Sequence, residues 1–430
     1  MEKYSKYKDS GVKWIGDVPA HWEVKKLRNL ISIISVKNHP NEILLSVVRE
    51  QGVIVRDLDA DDNHNYIPED LSGYKLIKEG QFVINKMKAW QGSYAVSSYR
   101  GIVSPAYYTC DLRLAYKSYF NLAIRSSAYV PFFTQYSKGI RVGQWDLSPI
   151  GLKEIPFFLP PLAEQRAIVS YLDGKVGQID TYVAKQTQQI ELLKELKQAV
   201  IANAVTKGID NKAKLKQTGI SWIGHVPQHW EQCRLKNVVS CNNETLSNNT
   251  EPSLQIEYVE IADVKEMEGI VRTTHYKFSE APSRARRITK NGDIILSTVR
   301  TYLKAVALVK QEGLIVSTGF AVLRPKDCNQ EYISYLLRSD YFLGEVSRRS
   351  FGISYPSITT DALLSIEIPI PPLSEQRAIV SYIEAKTAII NKLIDAYEQQ
   401  VERVKEYKQR LISDAVTGKI NVTGKQTQTN

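Results

Sequence analysis

Five short stretches of this 430-residue sequence gather the side chains that bind polyanions. "KMKAWQGSY" carries Lys86, Lys88, Trp90 and Gln91, and "SKGIRVGQW" carries Lys138, Arg141, Gln144 and Trp145. Further on, "SRARR" supplies Arg284, Arg286 and Arg287, "STVRTYLK" supplies Arg300, Tyr302 and Lys304, and "SRRSFGISY" supplies Arg348, Arg349, Ser350 and Tyr355. Arginine and lysine neutralise phosphates, while arginine and glutamine fork onto the edges of guanine and adenine. Any one of these residues is most simply a solvated surface charge. Together they point further, because residues 283–304 hold six basic side chains against the single acid Asp293, and a second arginine pair follows. A net charge of +10 and an isoelectric point near 9.1 agree with a polyanionic partner.

Catalytic signatures are missing from the sequence. No GxGxxG follows a strand, no GxxxxGK[ST] occurs, and the two Pro-Pro pairs stand as "LPPL" and "IPPL" rather than in a base-holding methyl-transfer element. "DVPAHWEVK" places Asp17, Glu23 and Lys25 in a spacing that faintly resembles a metal-dependent nuclease, yet the later "HVPQHWEQC" has His225 and Cys233 where the first acid and the lysine stood. The structural reading of both stretches is a start anchored on Trp14, Trp22, Trp222 and Trp230, with His21 and His229 as structural histidines. Cys110, Cys233, Cys241 and Cys328 form no CxxC pair, so neither zinc nor a disulfide framework is indicated.

The elements that hold these residues are written twice. "LPPLAEQRAIVSYLDGK" returns as "IPPLSEQRAIVSYIEAK", with Pro161 recurring at Pro372, 211 positions on. "GVKWIGDVPAHWE" from Gly11 returns as "GISWIGHVPQHWE" from Gly219, and "GQFVINKMKAW" from Gly80 aligns with "GDIILSTVRTY" from Gly292. Offsets of 208 and 212 at these anchors mark single insertions in loops between fixed elements. The period is far too long for a solenoid repeat of roughly 20 to 50 residues, so each copy is a module of its own.

After each Pro-Pro the chain falls into alternating steps of four and three. Leu172, Val176, Ile179, Val183, Gln186, Ile190, Leu193, Lys197 and Val200 form one stripe. Ile383, Thr387, Ile390, Ile394, Tyr397, Val401, Val404, Lys408 and Leu411 form the same stripe 211 residues later. This spacing is a coiled-coil seam. A helix over 163–205 spans roughly 65 Å at about 1.5 Å per residue, longer than a domain of this size is wide. Ser374 is the expected N-cap of the second helix, Gly208 and Gly418 stop the two helices, and Gly174 and Gly177 weaken the first without an evident reason. A link of about 13 residues, at most ~45 Å when extended, favours an antiparallel pair that would hold the two globular modules at opposite ends of a stiff rod.

Runs such as "ISIISVK", "QFVINKM", "DIILSTV" and "GFAVLRP" read as short strands, and "QEYISYLLRSDYFLGEV" as a helix. The expected fold is α+β: two tandem homologous β-rich domains separated by two long helices in an antiparallel coiled coil. Its expected boundaries are 1–160 and 209–371 for the domains, 161–208 and 372–421 for the helices, and 422–430 for a flexible tail. Composition, at 43% hydrophobic and 24% charged, suits a globular chain with sizeable cores. The absence of an apolar run near 20 residues and of a signal-like start leads to the expectation of a cytoplasmic protein.

The repeat, the "PPL-x-EQ-R-x-I" opening of each long helix, and the phrases "STVRTYLKAVALV" and "VSTGFAVLRP" resemble the specificity subunit of type I restriction-modification systems. The resemblance implies two target recognition domains that each read half of a bipartite, asymmetric site in double-stranded DNA. It implies helices that fix the gap and dock two methyltransferase subunits, with restriction subunits joining the assembly. Catalysis would then reside in the partner chains, with S-adenosylmethionine, ATP and magnesium bound there and no cofactor or metal in this one. A stand-alone tandem DNA-binding regulator is the alternative, and a diverged nuclease a more distant one.

Overall fold

The computed structural model describes residues 2–56, 67–139, 145–219 and 223–423. Arg141, Gln144 and Trp222 therefore lie outside the described residues, as does most of the expected tail. The chain divides into two compact units, one of residues 1–186 with 399–430, the other of residues 187–398.

In the first unit a four-stranded antiparallel sheet runs in the order Ile31–Ile34, Tyr107–Leu112, Phe82–Asn85, Tyr94–Val96. In the second the order is Val239–Cys241, Phe320–Pro325, Ile294–Ser297, Val306–Leu308, again antiparallel throughout. "FVIN" and "IILS" occupy the same inner place in the two sheets and are buried along their whole length. Covered on both faces, such a strand reads as a continuous apolar run instead of an alternating one. The copies diverge beside these sheets. The second unit has a further four-stranded sheet with one parallel pair, Gln255–Val259 against Ile315–Ser317, where the first has two separate two-stranded ribbons.

Each unit also explains why "PPL-x-EQ" recurs. Trp22 is fully buried and donates its Nε1 proton to Glu164 at 2.9 Å, while His21 pairs with the same carboxylate at 2.5 Å. Trp230 and His229 repeat the arrangement on Glu375 at 3.0 and 2.7 Å. Gln165 and Gln376 donate back to the carbonyls of Pro160 and Pro371 at 2.8 and 2.9 Å, closing the turn into the helix. An acid in the first helical turn also faces the positive end of the helix dipole. Hence the histidines are structural, and their partner is a glutamate more than 140 residues away. Trp14 differs from Trp22: it stays 43% exposed, packed on Phe132 with ring centroids 4.7 Å apart.

The long helices run Leu162–Lys207 and Leu373–Val416. Ser374 thus sits inside the first turn, not at the N-cap. Between 384 and 410 the second helix withdraws Thr387, Ile390, Ile394, Tyr397, Val401, Val404 and Lys408 from solvent and exposes every other residue. In the first helix the stripe from Leu172 to Val200 is likewise the least exposed line. In the first unit Lys408 bonds Asp180 at 2.6 Å, and Tyr182 bonds Gln400 at 3.2 Å. Numbers rise on one helix as they fall on the other, so the pair is antiparallel. Lys197 meets Asn391 at 2.8 Å in the second unit. Nothing lies within 4 Å of where a Cβ on Gly177 would stand, so packing does not require that glycine.

The end of each long helix completes the core of the other copy's module. Leu411, Ala415, Val416, Ile420 and Val422 are buried among Trp22, Phe120, Phe157 and their neighbours in the first unit. Ile201, Ala204 and Val205 are buried with Trp230, Tyr332 and Ile368 in the second. The buried hydroxyls of Tyr119 and Tyr332 mark the correspondence. Tyr119 donates toward the carbonyls of Phe158 and Val416, and Tyr332 toward those of Pro369 and Val205.

Two further expectations are corrected. "QEYISYLLRSDYFLGEV" forms two helices, Gln330–Leu337 and Asp340–Arg348, because Ser339 turns extended and caps the second through Phe342 N. The link after the first long helix is not plain connection: Leu215–Gln217 pairs with His225–Pro227, as Tyr7–Asp9 pairs with Asp17–Pro19. Among the described residues no helix is long and apolar enough to cross a membrane.

Candidate nucleic-acid interface

Each module presents a short 3-10 turn and a hairpin side by side. In the first module the turn Ala89–Gln91 follows strand Phe82–Asn85, and the hairpin pairs Ser137–Lys138 with Asp146–Leu147. The turn Thr301–Leu303 follows Ile294–Ser297 in the second, where Phe351 and Ser357 exchange both backbone hydrogen bonds at 2.9 Å. "SKG" at 137–139 and "SFG" at 350–352 are the sequence trace of this equivalence.

The first site brings together Lys86, Lys88, Trp90, Gln91, Lys138 and Trp145. Leu147 N donates to the Lys86 carbonyl at 3.0 Å, Lys86 Nζ bonds Asp146 at 2.8 Å, and the Trp90 and Trp145 rings lie 5.2 Å apart, tilted by 50°. The hydrogen bond it donates to Asp146 holds the Lys86 ammonium above its ordinary value. Lys88, Gln91 and Lys138 remain exposed. The surface is therefore basic and aromatic, with one lysine already occupied.

The second site sorts the arginines more sharply. Arg300 stands over the Tyr355 ring, 5.0 Å from its centroid, and both line a cavity of about 550 Å³ with Arg284, Thr318 and Gly319. Tyr302 is exposed on the same turn, and Phe351, Ile353 and Tyr355 are exposed on the hairpin, Ile353 completely. Phe351 and Ile353 were not among the residues singled out from the sequence. Arg286 lies apart, over Phe278 at 4.7 Å. Arg287 is half-buried, and that burial pulls its guanidinium below the usual range.

Three of the expected contact residues spend their charge inside the module. Lys304 Nζ bonds Asp340 at 2.9 Å and Glu266 at 3.0 Å, and these hydrogen bonds raise its ammonium. Arg348 and Arg349 both grip Glu345, at 2.7 and 2.5 Å, and Glu345 is almost fully buried. Arg349 also donates to Ser365 at 2.9 Å. The hydrogen bond from Arg348, helped by that from Arg349, holds the Glu345 carboxyl below its ordinary value. Saturated in this way, Lys304 and Arg349 have little left for a phosphate. Of the nuclease-like trio, Lys25 bonds Glu23 at 2.7 Å, while Asp17 sits opposite Asp9 in a small ribbon.

Residues 227–403 match the family described as the type I restriction modification DNA specificity domain. A type I restriction enzyme specificity subunit, MjaVIII, from Methanocaldococcus jannaschii is 24% identical over 94% of both chains. The EcoKI specificity subunit of Escherichia coli is 24% identical over 69% of this chain and 64% of its own. Residues 227–403 thus carry the family's domain, and over nearly its whole length the chain is similar to type I specificity subunits. Among solved structures, one described under complex assembly and conformational transition of the type I R-M system superposes with a TM-score of 0.68, at 18% identity, over 94% of this chain and 99% of its own. The HsdS subunit of Thermoanaerobacter tengcongensis superposes with a TM-score of 0.51, also at 18% identity, over 96% of this chain and all of its own. At such identity the fold is what is shared. The matched region 227–403 contains the second turn, cavity and hairpin in full.

Proposed function

We propose that the two modules of this specificity subunit each read one half of a bipartite, asymmetric site in double-stranded DNA. In this reading the number of bases between the half-sites follows from the length of the long helices. One observation carries it. The same turn and hairpin occur in both modules with different side chains: Lys88, Trp90 and Trp145 in one, Arg300, Tyr302 and Tyr355 in the other. A repeated position with unlike chemistry suits two half-sites of unlike sequence. The domains of this reading are 1–160 and 209–371. Two methyltransferase subunits would join the chain to methylate adenine, with S-adenosylmethionine bound in them. Restriction subunits would bring ATP- and magnesium-dependent cleavage, and this chain would supply address alone.

Methylome sequencing of cells that carry the chain with its methyltransferase partners tests the proposal. The expected result is one split motif, and replacing residues 86–91 and 137–147 should alter only one of its halves. Inserting one heptad after Gln188 and another after Gln399 preserves the 4-3 seam, so the half-sites should keep their bases while any surviving motif has a longer gap. A continuous motif, or changes in both halves from one exchange, would refute the assignment.

A further inference from the structure

The basic side chains around the second turn differ in whether the protein has already answered their charge. Lys304, Arg348 and Arg349 each bond at least one carboxylate. Arg300 bonds none among the described residues, and its one charge-specific contact is the face of Tyr355. A guanidinium on an aromatic face keeps its in-plane N–H donors available.

Arg300 is also held in an uncommon conformation. Its φ and ψ are +53° and +50°, in the left-handed region that residues with a Cβ seldom adopt. Such outliers persist only where the surroundings over-determine them. Here Lys304, itself at φ +48°, is fixed between Asp340 and Glu266. Thr301 N donates to the Pro356 carbonyl at 3.3 Å, Thr301 Oγ1 meets Ser350 Oγ at 3.0 Å, and Ile358 N donates to Thr298 at 2.9 Å. The first module places Lys88 at the equivalent position with an ordinary φ of −119°, and meets the Lys304 position with Gly92 at φ +94°. The strained, stacked arginine belongs to the second module alone.

Resting on the DNA-reading function proposed above, we propose that Arg300 is a specificity-determining residue that reads a guanine in the half-site of the second module. Its fork donates to O6 and N7, and the Tyr355 ring fixes the plane of the fork. Guanine is the base that offers two adjacent major-groove acceptors to such a fork. Among the described residues no carboxylate lines the adjoining cavity to compete for the donors. Arg284 across the cavity supplies charge to the flanking backbone.

The test uses the chain assembled with its methyltransferase subunits. Methylomes are compared for wild type, Arg300→Ala, Arg300→Lys and Lys88→Ala, and binding is measured on cognate duplexes carrying 7-deazaguanine, which lacks N7, at each guanine in turn. Arg300→Ala should relax one G·C position in one half-site, with discrimination falling on the order of ten- to a hundredfold, and leave the other half-site intact. Arg300→Lys, which keeps charge but not the fork, should relax the same position. 7-deazaguanine there should weaken wild type and leave Arg300→Ala unaffected. Uniform weakening with a shallower salt dependence, cured by lysine, would make Arg300 a phosphate contact and overturn the proposal. A half-site without G·C, or relaxation in the half-site that Lys88→Ala changes, overturns it as well. Absence of any sequence-specific methylation by the wild-type complex would sink the DNA-reading function itself, and this inference with it.

Discussion

At the scale of single residues, Glu345 decides what two of the arginines do. Its buried carboxylate holds Arg348 and Arg349, so Glu345→Gln should destabilise the second unit while leaving the recognised bases unchanged. The pH dependence has a definite sign. The carboxyl is depressed from 4.5 in the folded chain, so its contribution is complete above that value and is lost as pH falls through the lower folded one. Thermal unfolding should show Glu345→Gln melting below wild type at neutral pH, with the gap narrowing in acid. A gap that widens in acid would contradict the assignment. Part of this was legible beforehand, since Glu345 stands three and four positions before Arg348 and Arg349 at the end of a helix. The carboxylates on Lys304 were not, because Glu266 and Asp340 lie 38 and 36 positions away. Charge counted along the chain could not separate arginines that are free from those already bound.

Among the elements, the long helices were the most legible, because a 4-3 seam is a local pattern that burial follows directly. Ile389 and Ile390 make the sharpest comparison: neighbours of identical chemistry, 58% and 6% exposed. Ile390→Ala should cost about 2–5 kcal/mol through the lost contacts and the cavity it leaves, whereas Ile389→Ala should stay within about 0.5 kcal/mol of wild type. Urea unfolding of the two variants measures both. Equal effects would mean that the seam does not pack as described. The hairpins were less legible than the helices. "SKG" and "SFG" repeat, but a three-residue match between loops of different length carries little weight until the turns beside them are seen to coincide.

For the whole molecule, the two copies are interleaved, and this follows from where the helix ends are buried. The core of the first unit takes Leu411, Ala415, Val416, Ile420 and Val422 from the far end of the sequence, just as that of the second takes Ile201, Ala204 and Val205. Repeat arithmetic showed two modules and two helices; it held no signal for which helix end completes which core, because both copies read alike. The backbone N of Asn421 donates to the carbonyl of Glu2 at 2.9 Å, so the passage from the second helix into the first module nearly closes on itself. The matching passage from the first helix into the second module is continuous and turns through exposed residues at 210–212. Covalent continuity there should be dispensable provided it is restored at the other passage. A chain opened between Asn211 and Lys212, with Thr423 joined to Glu2 through a few glycines, should fold with both cores intact and direct methylation to the original motif. Truncation after Glu398 should instead strip five buried apolar side chains from the first core. In hydrogen exchange the first unit should then lose protection while the second keeps it. If the truncated chain protects its first unit as well as the permuted chain does, the helix ends are not part of that core and the interleaved arrangement is wrong.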